Sequence, residues 1–338
     1  MWAQVNVTMW VEALRSVPRV DRPAWERLDV VSRWLIASRA AVLVMTLFSA
    51  AIAGVLAFRD GAFDAWLWAL MTVGLLLAHA TNNLLNDLTD HVRGVDRGNS
   101  FRARYGPQPL EHGLLTLRQF LVYLGVTGSA ALAVGLLLVA WRGWPVAWLL
   151  GAGAFFVLFY TWPLKSIGLG EAAVLVVWGP LMVGGGYLVV TGRWSWEAVW
   201  ASLPYAFSVT AVLLGKHIDK LEADREKGVR TLPVVLGERG ARLLTALLIV
   251  AAYGSVLVLV VTRTFSPALL LVLLALPALR LTLRALSRPR PAEPPADYPR
   301  EAWPLWFVGF AFLHNRRFGA LYMAGLLLDA LWVRLGGG

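Results

Sequence analysis

The recurrence of apolar runs of about 20 residues constrains this chain more than any other feature, because a helix of that length matches the hydrocarbon thickness of a bilayer. Nine such runs can be marked: Trp34 to Phe58, Ala65 to Leu88, Leu115 to Ala140, Val146 to Tyr160, Gly170 to Thr191, Trp196 to Leu214, Ala241 to Thr262, Pro267 to Leu286 and Trp303 to Trp332. The fourth is short, and His314, Asn315, Arg316 and Arg317 interrupt the ninth. Backbone amides in hydrocarbon must be satisfied within their own segment, so the runs read as helices. At 58% hydrophobic residues and a mean hydropathy of +0.62, the 338-residue chain is too apolar for a soluble domain. The expected fold is an all-α membrane protein of nine transmembrane helices. Residues 1–33 form a cytoplasmic N-terminal segment, 34–333 the helical domain and 334–338 a short external tail.

The net charge of +10 reflects membrane topology and not a nucleic-acid partner, since short cytoplasmic loops collect Lys and Arg. With the amino terminus inside, the cytoplasmic segments hold clusters such as Arg15 to Arg33, Arg93 to Arg118, Lys216 to Arg242 and Arg280 to Arg300. Only Arg59, Arg142, Arg193, Arg263 and Arg334 fall outside. The absence of cysteine excludes disulfides, thiolate catalysis and Cys-based metal centres. Met1 to Val20 lacks the apolar core of a secretory signal. Its Trp2, Val5, Met9, Trp10 and Leu14 recur at helical spacing, as in an amphipathic helix that lies on the membrane or docks on the protein's own loops. The proline-rich stretch from Ser287 to Pro299 reads as an extended connector.

The second apolar run ends in His79-Ala-Thr-Asn82-Asn83-Leu-Leu-Asn86-Asp87-Leu-Thr-Asp90, followed by Asp96. On a helix His79, Asn83 and Asp87 form one stripe, with Asn82, Asn86 and Asp90 beside it. Carboxylates at this depth cost several kcal/mol unless compensated, and an all-oxygen donor set suits a hard ion such as Mg²⁺. The alternative is a charged flank where a helix leaves the bilayer. A second acidic segment, Lys216 to Gly240, follows the sixth run and carries Asp219, Glu222 and Asp224, which one continuous helix cannot aim at one point. By itself it also reads as a solvated loop. Both segments fall on the cytoplasmic side beside Arg and Lys. Together they describe a site where metal and basic side chains neutralise a lipid diphosphate whose tail stays between helices.

These residues resemble the UbiA-type intramembrane aromatic prenyltransferases. Asn86-Asp87-Leu88-Thr89-Asp90 matches the first aspartate-rich signature of that family. The spacing through Gly94 and Asp96, with Arg104, Gly106, Pro107, Gly113 and Thr116 beyond, looks like the branch that prenylates 1,4-dihydroxy-2-naphthoate in menaquinone biosynthesis. Tyr160 to Lys165 and Gly168 to Glu171 are similar to the loop after the fourth helix. Asp224 to Gly228, Arg230-Thr231-Leu232 and Leu236-Gly237 resemble the second signature. Two departures stand out: Gly94 replaces a frequent third aspartate, and Lys220 sits four residues before Asp224, where an acid is usual.

The resemblance implies a nine-helix bundle with a central cavity in the cell membrane, both motifs facing the cytoplasm. It also implies Mg²⁺-dependent transfer of an isoprenyl group from its diphosphate to a small aromatic acceptor. Asn86, Asp87, Asp90 and Asp96 would hold one Mg²⁺, Asp219 and Asp224 a second, and Asn83 would assist. Arg93, Lys165, Arg225 and Arg230 would meet the diphosphate. Tyr160, and more remotely Trp178, would face the allylic cation. Arg39 reads as a snorkelling side chain. His79 reads as a buried hydrogen-bonded histidine, and His91 and His217 as outside any zinc site. The competing acceptors are 4-hydroxybenzoate or another quinone or lipid precursor. A secondary transporter, or a silent lipid-binding protein, is the reading from a different class.

Overall fold

The structure, a computed structural model, describes residues 5–95, 97 and 106–336; Trp2, Asp96 and Arg104 lie outside them. The described residues form helices and turns, with no strand among them. In chain order the helices are α1 (Val7–Arg15), α2 (Arg22–Arg27), α3 (Val30–Ala37), α4 (Val44–Arg59), α5 (Ala65–Val92), α6 (Leu117–Arg142), α7 (Trp144–Phe159), α8 (Gly170–Val176), α9 (Gly185–Thr191), α10 (Trp196–Asp219), α11 (Leu221–Glu226), α12 (Leu232–Val261), α13 (Leu276–Leu286) and α14 (Phe307–Arg334). Tighter or wider turns extend several of them, so α8 and α9 form one span, kinked where Gly179 leaves helical geometry ahead of Pro180.

Among the described residues eight segments, from Ala40–Arg59 to Pro267–Leu286, are long and apolar enough to cross a membrane. The ninth apolar run becomes α14, a 28-residue helix that passes without a break through His314, Asn315, Arg316 and Arg317. Those residues interrupt the hydropathy, not the helix. His314 is fully buried and its Nε2 lies 3.1 Å from the Tyr253 hydroxyl, while Arg316 and Arg317 are exposed.

Outward positions on α6, α12 and α14 are large and apolar, among them Leu121, Val122, Val126, Leu243, Leu247, Leu257, Leu328 and Leu331. Facing water they would form patches far beyond those of a soluble monomer; facing acyl chains they are solvated. The interior instead collects small residues, Ala50, Ala53, Ala57, Ala201, Ala206 and Ala211, which let backbones approach where no hydrophobic effect drives helices together. Around the deeply buried α10 pack α8, α12 and α14. At Gly215 a Cβ would stand 2.9 Å from the backbone of Phe307 and Val308, so only glycine lets α10 meet the start of α14 there.

The arginines expected outside gather at one end of the bundle. Arg59 Nε donates to Asp329 at 2.8 Å and its Nη2 to the Thr264 carbonyl at 2.7 Å. The Arg142 guanidinium caps the Val189 and Val190 carbonyls, both at 2.7 Å, and that of Arg334 lies over Phe58. Trp66 packs edge-on against Trp141 at the same end, and Trp144, Trp194, Trp196 and Trp332 lie exposed at neighbouring helix ends, as in an interfacial aromatic belt.

At the opposite end α1 docks on the protein itself while Val7, Val11 and Leu14 stay exposed. Asp29 ties it down, accepting from Trp10 Nε1 at 3.0 Å, the Asn6 amide at 3.1 Å and Ser32 Oγ at 2.6 Å. Burial opposes the charge on Asp29, but the donors from Ser32, Trp10 and Asn6 outweigh it and lower its pKa from 3.8 to about 2. A depressed folded pKa contributes stability that is present above the unfolded value and disappears as the pH falls through the folded one. A nitroxide on Val11→Cys, in a chain with no other cysteine, should therefore stay immobile at neutral pH and loosen between about pH 4 and pH 2. With Asp29→Ala it should be mobile already at pH 7.

Candidate active site

The last turns of α5 build the centre. Asn83, Asp87 and Asp90 are buried although charged or polar, because their face of the helix turns inward and other elements bring them partners. Asp87 pairs with Arg39, whose Nη2 also lies 3.4 Å from Asn86 Oδ1 and 3.3 Å from the Asn83 carbonyl. Arg39 reaches this point because the chain turns sharply after α3, with Arg39 itself in the left-handed region at φ 54°. Asn83 Nδ2 donates to the Ser38 carbonyl at 2.9 Å and so fastens that corner to α5. A non-glycine residue held left-handed costs about 1–2 kcal/mol, which the buried ion pair offsets. Arg39 is 8% exposed, so it is a member of the site and not the snorkelling side chain its sequence context suggests.

Asp90 is held by Lys165 Nζ, 3.1 and 2.9 Å from its two oxygens, and accepts from Asn86 Nδ2 at 3.2 Å. Lys165 comes from the segment after α7. Trp162 leaves helical geometry there and Pro163 has no amide hydrogen to donate, so the span kinks at this point. The same segment supplies Thr161, whose Oγ1 accepts from Asn86 Nδ2 at 3.0 Å, and the partly buried Tyr160.

In the second segment Asp224 is 1% exposed; its Oδ1 lies 3.0 Å from Lys220 Nζ and its buried Oδ2 has no hydrogen-bond partner. Beside it His217 Nδ1 lies 2.6 Å from Glu171 Oε1, both side chains buried. The structure gives Asp219 a different task from the metal ligand expected of it. Its two oxygens accept from the Phe307 and Val308 amides, each at 3.0 Å, where an anion meets the positive end of α14. Glu222 and Arg225 pair with each other at 2.8 Å and are both exposed, so Arg225 does not join the buried acids. Arg230 is exposed as well. Exposed Arg93 stacks over Trp162 at 5.5 Å. His79 meets Thr46 Oγ1 at 2.8 Å and packs edge-on against Trp178, and His91 Nδ1 lies 3.1 Å from Glu111.

Among the described residues no three acid or imidazole side chains converge as a closed metal cage. Mg²⁺ does not need one, because it is held by one or two carboxylates and completed by water and phosphate oxygens. The first segment fits that requirement, with two carboxylates and the Asn86 amide on one helix face. The second offers a single inward carboxylate, already beside an ammonium.

The chain matches the UbiA prenyltransferase family over residues 46–313. Among curated relatives, the 1,4-dihydroxy-2-naphthoate octaprenyltransferase of Escherichia coli (strain K12) is 30% identical over 253 residues, covering 71% of this chain and 79% of that protein. The Bacillus subtilis (strain 168) protein of the same name is 28% identical, covering 63% and 69%. UbiA prenyltransferase domain-containing protein 1 of Gallus gallus is 29% identical over 65% of this chain and 66% of its own length, just under two thirds of that relative. The solved apo structure of a UbiA homolog from Aeropyrum pernix K1 superposes with a TM-score of 0.59 at 20% identity, covering 85% of this chain and 98% of that one. That of a UbiA homolog from Archaeoglobus fulgidus bound to GPP and Mg²⁺ gives 0.56 at 16%, covering 86% and 99%. The matched residues run from α4 into α14 and take in both acidic segments, and on that evidence the chain belongs to the UbiA prenyltransferase family.

Proposed function

We propose that the protein transfers an isoprenyl group from a prenyl diphosphate to an aromatic acceptor, and that the acceptor is 1,4-dihydroxy-2-naphthoate. The observation that carries the reading is the buried pairing of Asp87 with Arg39 and Asp90 with Lys165 at one end of a lipid-facing bundle. Alternating acids and fixed cations are what a metal-bridged diphosphate requires. The names of the bacterial relatives support the naphthoate acceptor. The basic loops support a cell-membrane protein with this end in the cytoplasm.

In the reaction the allylic C–O bond breaks, its electron pair leaves with the diphosphate, and a ring carbon of the acceptor bonds to the allylic carbon and loses its proton to the departing diphosphate or to water. Asp87, Asp90 and Asn86 would hold Mg²⁺, which when bound neutralises the diphosphate charge. Lys165 and Arg39 stabilise the charge that grows on the leaving group, an effect larger in a dry site than in water. Arg93 and Arg230 stand at the exposed rim, where an incoming diphosphate first meets cations. The Tyr160 ring covers the allylic carbon and excludes water, contributing roughly 0.5–2 kcal/mol to the cation.

Purified protein incubated with Mg²⁺, a labelled prenyl diphosphate and a panel of aromatic acceptors should yield prenylated naphthoate faster than prenylated 4-hydroxybenzoate. Preference for a different ring would overturn the acceptor. Absence of product from every ring would overturn the transfer.

A further inference from the structure

We infer that this chain works with one divalent ion and not two, because the buried ammonium of Lys220 is the permanent positive charge of the second acidic segment. The inference rests on the prenyl-transfer reading and changes how the diphosphate is held.

The donors available at the two segments differ in number. On α5 two carboxylates and an amide share a face, and their cations, Arg39 and Lys165, arrive from separate parts of the chain and can exchange partners with an incoming phosphate. Past α10 the three acids separate. Asp219 is taken up by the Phe307 and Val308 amides, and Glu222 faces solvent with Arg225. Only Asp224 points inward, and Lys220, one turn earlier on the same backbone, lies 3.0 Å from it with 7% exposure. A divalent ion bound at Asp224 would face that ammonium across a buried site, and the one inward carboxylate of this segment is already paired with it. A diphosphate meets the opposite situation. The ammonium carries three donors, and Asp224 orients it without the second acid that would be needed to cancel a dication.

Lys220 therefore supplies from the protein the charge that a second metal would supply from solution. Asp224 Oδ2 and Glu171 Oε2 are each buried without a hydrogen-bond partner, and each can accept from water or the acceptor hydroxyl.

The test counts Mn²⁺ retained by the full-length protein in detergent with inorganic pyrophosphate, and reads by electron paramagnetic resonance whether bound ions are magnetically coupled. Wild type should retain one uncoupled Mn²⁺ per chain, lost in Asp87→Ala and kept in Asp224→Asn. Lys220→Asp should bind two that couple through the diphosphate. If that variant does not fold, Lys220→Met should weaken pyrophosphate binding about tenfold while Lys220→Arg retains it, the loss of one charge-assisted contact. Two coupled ions in wild type, or equal pyrophosphate affinity in Lys220→Met and wild type, would overturn the inference. The ion count needs no turnover, so a chain that binds one Mn²⁺ but prenylates no acceptor would refute the transfer reaction and leave the single-ion site standing.

Discussion

Asp87→Asn should lower prenyl transfer by roughly 10³-fold in kcat/KM, the scale of losing a preorganised electrostatic partner in a dry site. The substitution preserves shape and most hydrogen bonding, so the loss follows from one formal charge. Asp87 is 3% exposed and pairs with Arg39, and an amide at position 87 takes the negative charge of that pair away from the guanidinium. The leaving diphosphate loses a metal ligand at the same time. Steady-state rates against prenyl diphosphate, with thermal unfolding as a check that the bundle persists, would measure the effect. A variant within threefold of wild type would mean that Asp87 only joins helices together.

Removing the other half of the pair should act on stability first. Arg39→Ala leaves the Asp87 carboxylate buried without its guanidinium, a change that costs about 3–5 kcal/mol, whereas replacing a whole buried pair by apolar residues is often neutral. Arg39→Met with Asp87→Leu should therefore unfold at a denaturant concentration close to wild type while showing no transfer. Arg39→Ala alone should unfold well below it. Additive single effects in this cycle would contradict the pairing, since contacting residues couple by 0.5–3 kcal/mol or so. Alanine also cannot relieve the left-handed backbone at position 39, so part of the cost persists in any β-carbon-bearing residue there.

Much of this architecture is legible in one dimension because lipid imposes a simple rule. Apolar runs of bilayer length must be helices, and the sorting of Arg and Lys assigns the loops to two faces before any contact is known. The inward stripe on α5 is legible for a similar reason, since the 3.6-residue period places Asn83, Asp87 and Asp90 together whatever they meet. α14 shows where hydropathy misleads. Helix continuity depends on backbone hydrogen bonds, so His314 lowers the apolar average without breaking the helix, its Nε2 paired with the Tyr253 hydroxyl.

Partners are what spacing does not carry. Arg39 and Asp87 are 48 residues apart, and nothing local distinguishes a snorkelling arginine from a buried one. A cation early in an apolar run and an acid late in the next are each costly alone, and that shared cost is the one signal that could have joined them. Asp219 shows the reverse case. Its position beside Lys220 and Asp224 suggests a ligand, yet the amides it caps belong to a helix that starts 88 residues later. Glu171 and His217, 46 residues apart, are silent in the same way.

The most direct test of convergence is a structure of the protein with geranyl diphosphate and Mn²⁺, in which anomalous scattering locates the ion. The account places the diphosphate at the end of α5, with Mn²⁺ on Asp87 and Asp90, Lys165 on the phosphates and Lys220 across from them. A diphosphate bound at the other end, near Arg59 and Asp329, or one that touches Asp87 while Asp224 stays beyond its reach, would contradict it.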